Sequence, residues 1–206
     1  MNVRTIFLYA LVFFLPLGTR MLLFRFIPGF HEYETAFLYA TDIFLAAFLA
    51  ATFVAARKRL RTEVNAFLRD RGTLILFIFL ACAALSIAWA PSPLLALYAF
   101  LRLLGAAGFA CAVSLVIRAD RRVFERVLMF LALGALLQSF LGVAQFREQE
   151  HRGLGILGES PIGRDDPGTS KIAVGAARLV RAYGTFPHPN ILAAFLLAGL
   201  VALFHF

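Results

Sequence analysis

Charge is scarce in this chain. Only 16% of its 206 residues are charged while 61% are hydrophobic, with a mean hydropathy of +0.82, and an ordinary soluble domain carries about a quarter charged residues. That scarcity excludes a typical soluble fold. Cysteine is sparse as well: Cys82 and Cys111 lie in apolar stretches with no CxxC spacing, which excludes a thiol redox pair and leaves two small packing residues. The histidines, His31, His151, His188 and His205, lack ligand spacing with carboxylates or thiols, so no metal set is visible. P-loop and dinucleotide fingerprints are missing, so no cofactor is implied, and no internal repeat or low-complexity tract occurs. The net charge of +8 could suit nucleic acid. The basic residues are instead spread between apolar blocks with no basic-aromatic stripe, which argues against that partner.

The chain has, in place of these features, long apolar blocks. A membrane span takes roughly 20 helical residues, and such blocks run from about 3 to 18, 35 to 56, 72 to 90, 94 to 117, 123 to 146 and 190 to 206. They predict an all-α, polytopic transmembrane bundle of about six helices, with residues 1–146 forming the first five and 190–206 beginning the sixth. The last block reaches Phe206 without a polar flank, which reads as the amino-terminal part of a longer protein. The first, led by Arg4, is followed by Leu17, Gly18, Thr19 and Arg20 rather than a small-residue cleavage site, so an uncleaved anchor is expected.

Short connections rich in Lys and Arg stay in the cytoplasm. The connection with Arg57, Lys58, Arg59, Arg61, Arg69 and Arg71, and the one with Arg118, Arg121, Arg122 and Arg126, are therefore placed inside. The uncharged turn Ala90-Pro-Ser-Pro93 is then outside, the amino terminus inside, and the segment 147–189 outside. In that outer loop, Leu154, Ile156 and Leu157 suit an interfacial helical turn, and Pro161 to Gly168 a turn-rich link. Ser170–Val174 and Arg178–Tyr183 around residues 175–177 read as a small β-hairpin, with Ile172, Val174 and Val180 available to face the bundle.

The richest stretch runs from Arg178 through Arg181, Tyr183, Gly184, His188 and Asn190 into the last apolar block. Asn190 is a good helix N-cap and Pro187 and Pro189 bar backward extension. A helix amino terminus offers unpaired N–H groups and partial positive charge, and Arg178 and Arg181 can grip phosphate oxygens in pairs. Together they suggest a phosphate or diphosphate site at headgroup level. On spacing alone the arginines could equally snorkel to membrane lipids or pair with Glu159, Asp165 or Asp166.

Arg102 lies about 15 Å inside the fourth block at 1.5 Å per residue. Burying an ionisable group there costs about 2.5 to 3.5 kcal/mol, so it should face a cavity shared with the loop or pair with, for instance, Gln138. Gly105 and Gly108 suit close helix packing. His188 could act as acid or base, or bond nearby backbone at the helix start. Glu159 with Asp165 and Asp166 could bind an acceptor, deprotonate a hydroxyl or solvate a turn, and the last is the preferred reading. Asp42 could cap its helix or pair with Arg20 or Arg25.

The run Arg181-Ala-Tyr-Gly-Thr-Phe-Pro-His-Pro-Asn190-Ile-Leu-Ala-Ala-Phe195-Leu resembles the conserved region of the O-antigen ligase and polymerase family. Gln138-Ser-Phe-Leu-Gly-Val-Ala-Gln145-Phe and Leu154-Gly-Ile-Leu-Gly-Glu159 extend the likeness over the last third of the chain. The resemblance implies a bacterial inner-membrane glycosyltransferase that moves a glycan from undecaprenyl diphosphate to a periplasmic acceptor, such as lipid A-core. A polysaccharide polymerase or protein O-oligosaccharyltransferase differs only in acceptor. The resemblance implies that Arg181, just before Gly-Thr-Phe, engages the lipid diphosphate. Read from the residues themselves, Arg178 and Arg102 are further candidates, and His188, Asn190, Tyr183 and Glu159 secondary ones. The family's catalytic histidine belongs to a later periplasmic loop, so His188 does not inherit that role. A transporter or flippase of an anionic lipid-linked substrate is the reading from another class, and it calls for a repeat of two halves that is not found.

Overall fold

In the computed structural model, the described residues are 2–26, 35–57, 71–163, 168–175 and 177–206. The elements are α1 (Val3–Phe14), β1 (Arg20–Arg25), β2 (Thr35–Tyr39), α2 (Ala40–Ala56), α3 (Arg71–Ser86), α4 (Pro93–Ala119), α5 (Arg122–Glu148), β3 (Lys171–Val174), β4 (Ala177–Val180) and α6 (Pro189–Leu203). Lys58 to Arg69 in the basic connection, and Asp165 and Asp166, lie outside the described residues. Two compact units emerge: Met1–Phe7, Met21–Leu38 and Leu45–Asp120 form one, and Leu8–Arg20, Tyr39–Phe44 and Arg121–Phe206 the other.

Three helical stretches, Arg71–Trp89, Pro93–Ala119 and Arg122–Glu148, are long and apolar enough to cross a membrane. The other three apolar helices are shorter than the expected spans. α1 has 12 residues because Pro16 disfavours helical geometry at Leu15 and removes the N–H a continuing helix would need. α2 begins at Ala40 instead of Thr35, and the residues before it are strand β2, paired with β1. Thr35, Phe37 and Tyr39 suit an extended chain. At the junction the Tyr39 N–H donates to Asp42 Oδ2 at 2.9 Å, half of a capping box, with the carboxylate in the helix's first turn holding the residue that precedes it. A small sheet therefore stands where an all-α bundle was expected.

In the first unit α4 packs on α2. Gly105 faces Leu45, Gly108 faces Leu49, and the fully buried Phe48 meets Phe109 with ring centroids 5.9 Å apart. The Tyr98 hydroxyl holds β2 twice, accepting from the Phe37 N–H at 3.2 Å and donating to Phe37 O at 2.9 Å. α3 buries no residue and exposes Leu74, Ile75, Phe77, Ile78 and Phe79, an all-round apolar surface of the kind lipid covers. Cys82, expected to pack, is exposed on this helix, while Cys111 is partly buried in α4.

In the second unit α5 packs on α6 through small residues. A Cβ on Gly199 would stand 2.2 Å from Ala135 Cβ, and Gly134 and Gly142 leave room for Phe195 and Leu192, the close approach that small residues permit between apolar helices. The β3–β4 register pairs Lys171 with Val180 and Ile172 with Leu179. Paired residues share a face and side chains alternate along a strand, so Val180 lies opposite in facing to Ile172 and Val174. Val180 is buried and the other two are exposed, which corrects the expectation that all three face the bundle.

Candidate functional site

The second unit's loop is shaped by glutamines. Gln138 and Gln145 fall on one face of α5 at i and i+7, Gln149 is its C-cap at φ +62°, and all three are buried. Gln138 and Gln145 present their amides to backbone beyond the β3–β4 ladder, and Gln149 presents its amide to Val180 at the ladder's end. Gln145 Oε1 accepts from the N–H groups of Tyr183 at 3.1 Å and Gly184 at 2.8 Å, and its Nε2 donates to Gly184 O at 2.9 Å and Glu159 Oε1 at 2.6 Å. That satisfies the full hydrogen-bonding capacity of a side-chain amide.

Gln149 Oε1 accepts from the Val180 N–H at 2.7 Å, and its Nε2 donates to Phe146 O at 2.6 Å. Gln138 Oε1 accepts from the Thr185 N–H at 3.0 Å while its Nε2 donates to Thr185 Oγ1 at 2.9 Å. The Thr185 hydroxyl in turn donates to Pro16 O, beyond the end of α1. Buried backbone groups must find partners, and at Val180, Tyr183, Gly184 and Thr185 these side chains supply them. Gly184 sits at φ +60°, and a Cβ there would come within 2.3 Å of Gln138 Oε1. Only glycine meets both conditions.

Glu159 closes the same network. Its carboxylate accepts from Gln145 Nε2 and from the N–H groups of Arg152 and Leu154, each at 2.6 Å, and it is buried. The solvated-turn reading is thereby corrected: the carboxylate organises the loop from within, and these contacts leave it turned away from solvent. Tyr183 also serves the loop's interior. It packs with Ile162 and Val180, and its hydroxyl accepts from the Ser170 N–H at 2.7 Å.

Arg181 emerges from this frame. Its N–H donates to Ser170 O at 3.0 Å, and its guanidinium donates from Nη2 to Asn190 Oδ1 at 3.0 Å. Asn190 belongs to the first turn of α6, and the cap is His188, whose Nδ1 accepts from the Asn190 N–H at 3.1 Å. A ring nitrogen that accepts carries no proton, so the His188 imidazole holds its proton on Nε2 or is displaced from the cap. The Ile191 and Leu192 N–H groups donate to His188 O, and Pro189 has none. The expected row of open N–H groups is therefore closed, and Asn190 is a clasp for Arg181 in place of a cap. What an anion meets here is the helix dipole and a guanidinium with donors to spare. Arg178 is exposed on β4, and among the described residues neither it nor Arg181 forms an ion pair.

Arg102 belongs to the first unit. Its Nη1 donates to the Tyr98 hydroxyl at 3.4 Å and its guanidinium carbon lies 5.8 Å from that ring's centroid. Gln138, weighed as its partner, engages Thr185 with both ends of its amide. Among the described residues no cluster of three or more His, Cys, Asp or Glu gathers as a metal set.

The sequence reading named Gln138 only as a possible partner of Arg102 and gave no role to Gln145, Gln149 or Thr185. The signal was present as two amides, Gln138 and Gln145, seven residues apart in an otherwise apolar block, where a polar side chain rarely goes without a partner. Compared with known proteins, the chain matches no family profile, no curated protein and no solved structure.

Proposed function

We propose that this chain is part of a membrane glycosyltransferase that takes a glycan from undecaprenyl diphosphate to an acceptor hydroxyl, with Arg181 holding the diphosphate. The observation that supports it is the Arg181–Asn190 clasp at the start of α6, inside the run that resembles the O-antigen ligase and polymerase family. In the reaction the bond from the anomeric carbon to the diphosphate oxygen breaks, the acceptor oxygen bonds to that carbon, and a base takes the acceptor's proton. Negative charge grows on the departing diphosphate. A guanidinium aimed there stabilises the transition state more than the ground state.

On this reading the protein lies in the bacterial inner membrane, with the amino terminus in the cytoplasm and residues 147–189 in the periplasm. Lipid A-core is the acceptor of a ligase. Polymerase or protein acceptors call for the same chemistry at Arg181. In the intact protein Arg181→Ala should lower transfer by about 100-fold or more, with insertion and melting retained, and Arg181→Lys should restore only part, because an ammonium lacks the planar fork. Unchanged glycan transfer by Arg181→Ala would sink the proposal.

A further inference from the structure

The first unit holds a cavity of about 790 Å³ between α1, α2 and α4. It exists because the facing side chains are short: Ala47, Ala51 and Ala55 recur every four residues along one face of α2, and Ala119 stands across on α4. Packed interiors leave few voids larger than a water molecule, and this volume falls in the range of about 300–1,000 Å³ that small-molecule pockets occupy.

Two polar groups in the lining have no partner among the described residues. Arg4 Nε and Thr52 Oγ1 are buried without a hydrogen bond to any of them, and Thr52 is only 4% exposed. A helical hydroxyl usually satisfies itself on the carbonyl four residues back, as Ser114 does on Ala110 O at 2.8 Å. Thr52 does not. Among the described residues the Arg4 guanidinium likewise has no ion pair, and no Asp or Glu of theirs lines the cavity. Buried donors left open in a native chain indicate an acceptor supplied from outside.

The acceptor must be anionic to answer Arg4 and must offer several oxygens to reach Thr52 as well, which a phosphate group does. It must also carry an apolar body. Apart from Asn2 the remaining lining is hydrocarbon, and Val3 and Val54, in the lining, are 62% and 58% exposed, so the cavity continues onto an apolar flank. We propose that this cavity binds an anionic phospholipid, with its phosphate on the Arg4 guanidinium and the Thr52 hydroxyl and its acyl chains passing Val3 and Val54. This site is independent of Arg181 and of the glycan reading.

The test uses the full chain purified in detergent, with native mass spectrometry and melting curves in the presence of phosphatidylglycerol, phosphatidylcholine or soluble glycerol 3-phosphate. Phosphatidylglycerol should be retained about tenfold better than phosphatidylcholine, whose choline cation offsets the phosphate charge that Arg4 meets, and glycerol 3-phosphate at equal concentration should not displace it. Arg4→Gln should lower that retention about tenfold. Thr52→Val, close in volume, and Ala51→Phe, which intrudes on the space beside Thr52, should each lower it severalfold. If Arg4→Gln fails to fold, the other two variants decide. Undiminished retention in Thr52→Val and Ala51→Phe, equal retention of the two lipids, or displacement by glycerol 3-phosphate would each overturn the assignment.

Discussion

The two units treat buried polar groups in opposite ways. In the second, the amides of Gln138, Gln145 and Gln149, the Glu159 carboxylate and the Thr185 hydroxyl are all bonded, and the Tyr9 hydroxyl is the exception. In the first, Thr5 bonds Asn2 O, but Arg4 Nε and Thr52 Oγ1 stand buried with no partner among the described residues beside a cavity. A satisfied buried network fixes one backbone path and raises the cost of every alternative. Open donors do the reverse, lowering stability until something binds. The contrast separates a region built to hold a shape, from which Arg181 projects, from one left to be completed by a ligand.

The strongest way to break that contrast is at Gln145. Gln145→Leu leaves the Tyr183 and Gly184 N–H groups, Gly184 O and the Glu159 carboxylate short of a partner, and should cost about 3–5 kcal/mol. Denaturation in detergent should show the loss, and amide exchange at residues 183–185 should accelerate with it. A cost below about 1 kcal/mol would mean that water replaces the amide readily, and the claim of a rigid frame would fail.

Gly184→Ala comes next. A Cβ there meets Gln138 Oε1 at 2.3 Å on a backbone of φ +60°, so strain and clash together should cost about 2–3 kcal/mol. Pairing it with Gln138→Ala sharpens the test. That partner change removes the clash but not the φ, so the double variant should recover part of the added loss, measured as non-additive melting shifts.

A smaller effect is expected at the cap of α6. His188→Ala should cost about 1 kcal/mol, and His188→Asp should restore most of it, because a carboxylate is a better cap acceptor than an imidazole nitrogen. Transfer activity should follow stability in this pair and not fall as in Arg181→Ala. A loss of transfer without a loss of melting temperature in His188→Asp would give the imidazole a chemical role after all.

Much of this organisation was legible in the sequence where period and length agree. The apolar blocks beginning at Leu94 and Val123 lie within α4 and α5, and the glycine-centred turn between β-prone segments is the β3–β4 hairpin. β2 was not legible, because Thr35 to Ala56 is one apolar run and periods of 2 and 3.6 cannot be told apart when nearly every position is apolar. The facing of Ile172 and Val174 failed for a related reason: hydrophobicity was read without strand parity. Within the candidate site, Arg181 and Asn190 were named, but their relation was reversed. Asn190 looked like a cap by residue type, while the geometry gives the cap to His188 and leaves Asn190 to hold the arginine. The glutamine frame needed partners 31 to 47 residues away, which local spacing does not reveal.

The smallest effect tests the comparison most sharply, because its sign reverses between conditions. Thr52→Val removes a buried hydroxyl that has no partner among the described residues. Leaving such a group unpaired costs about 1–3 kcal/mol, so in delipidated protein the valine should be neutral or stabilising by up to about 1 kcal/mol. Gln145→Leu, also a polar-to-apolar change at a buried helical site, should destabilise under every condition. With phosphatidylglycerol present the order within Thr52→Val inverts: the parent chain gains stability from the bound lipid by mass action, and the valine variant gains less. A melting temperature for Thr52→Val that stays above the parent's at every lipid concentration would show that the hydroxyl is merely an internal cost. A crossing of the two curves as lipid is added is what a ligand-completed site demands.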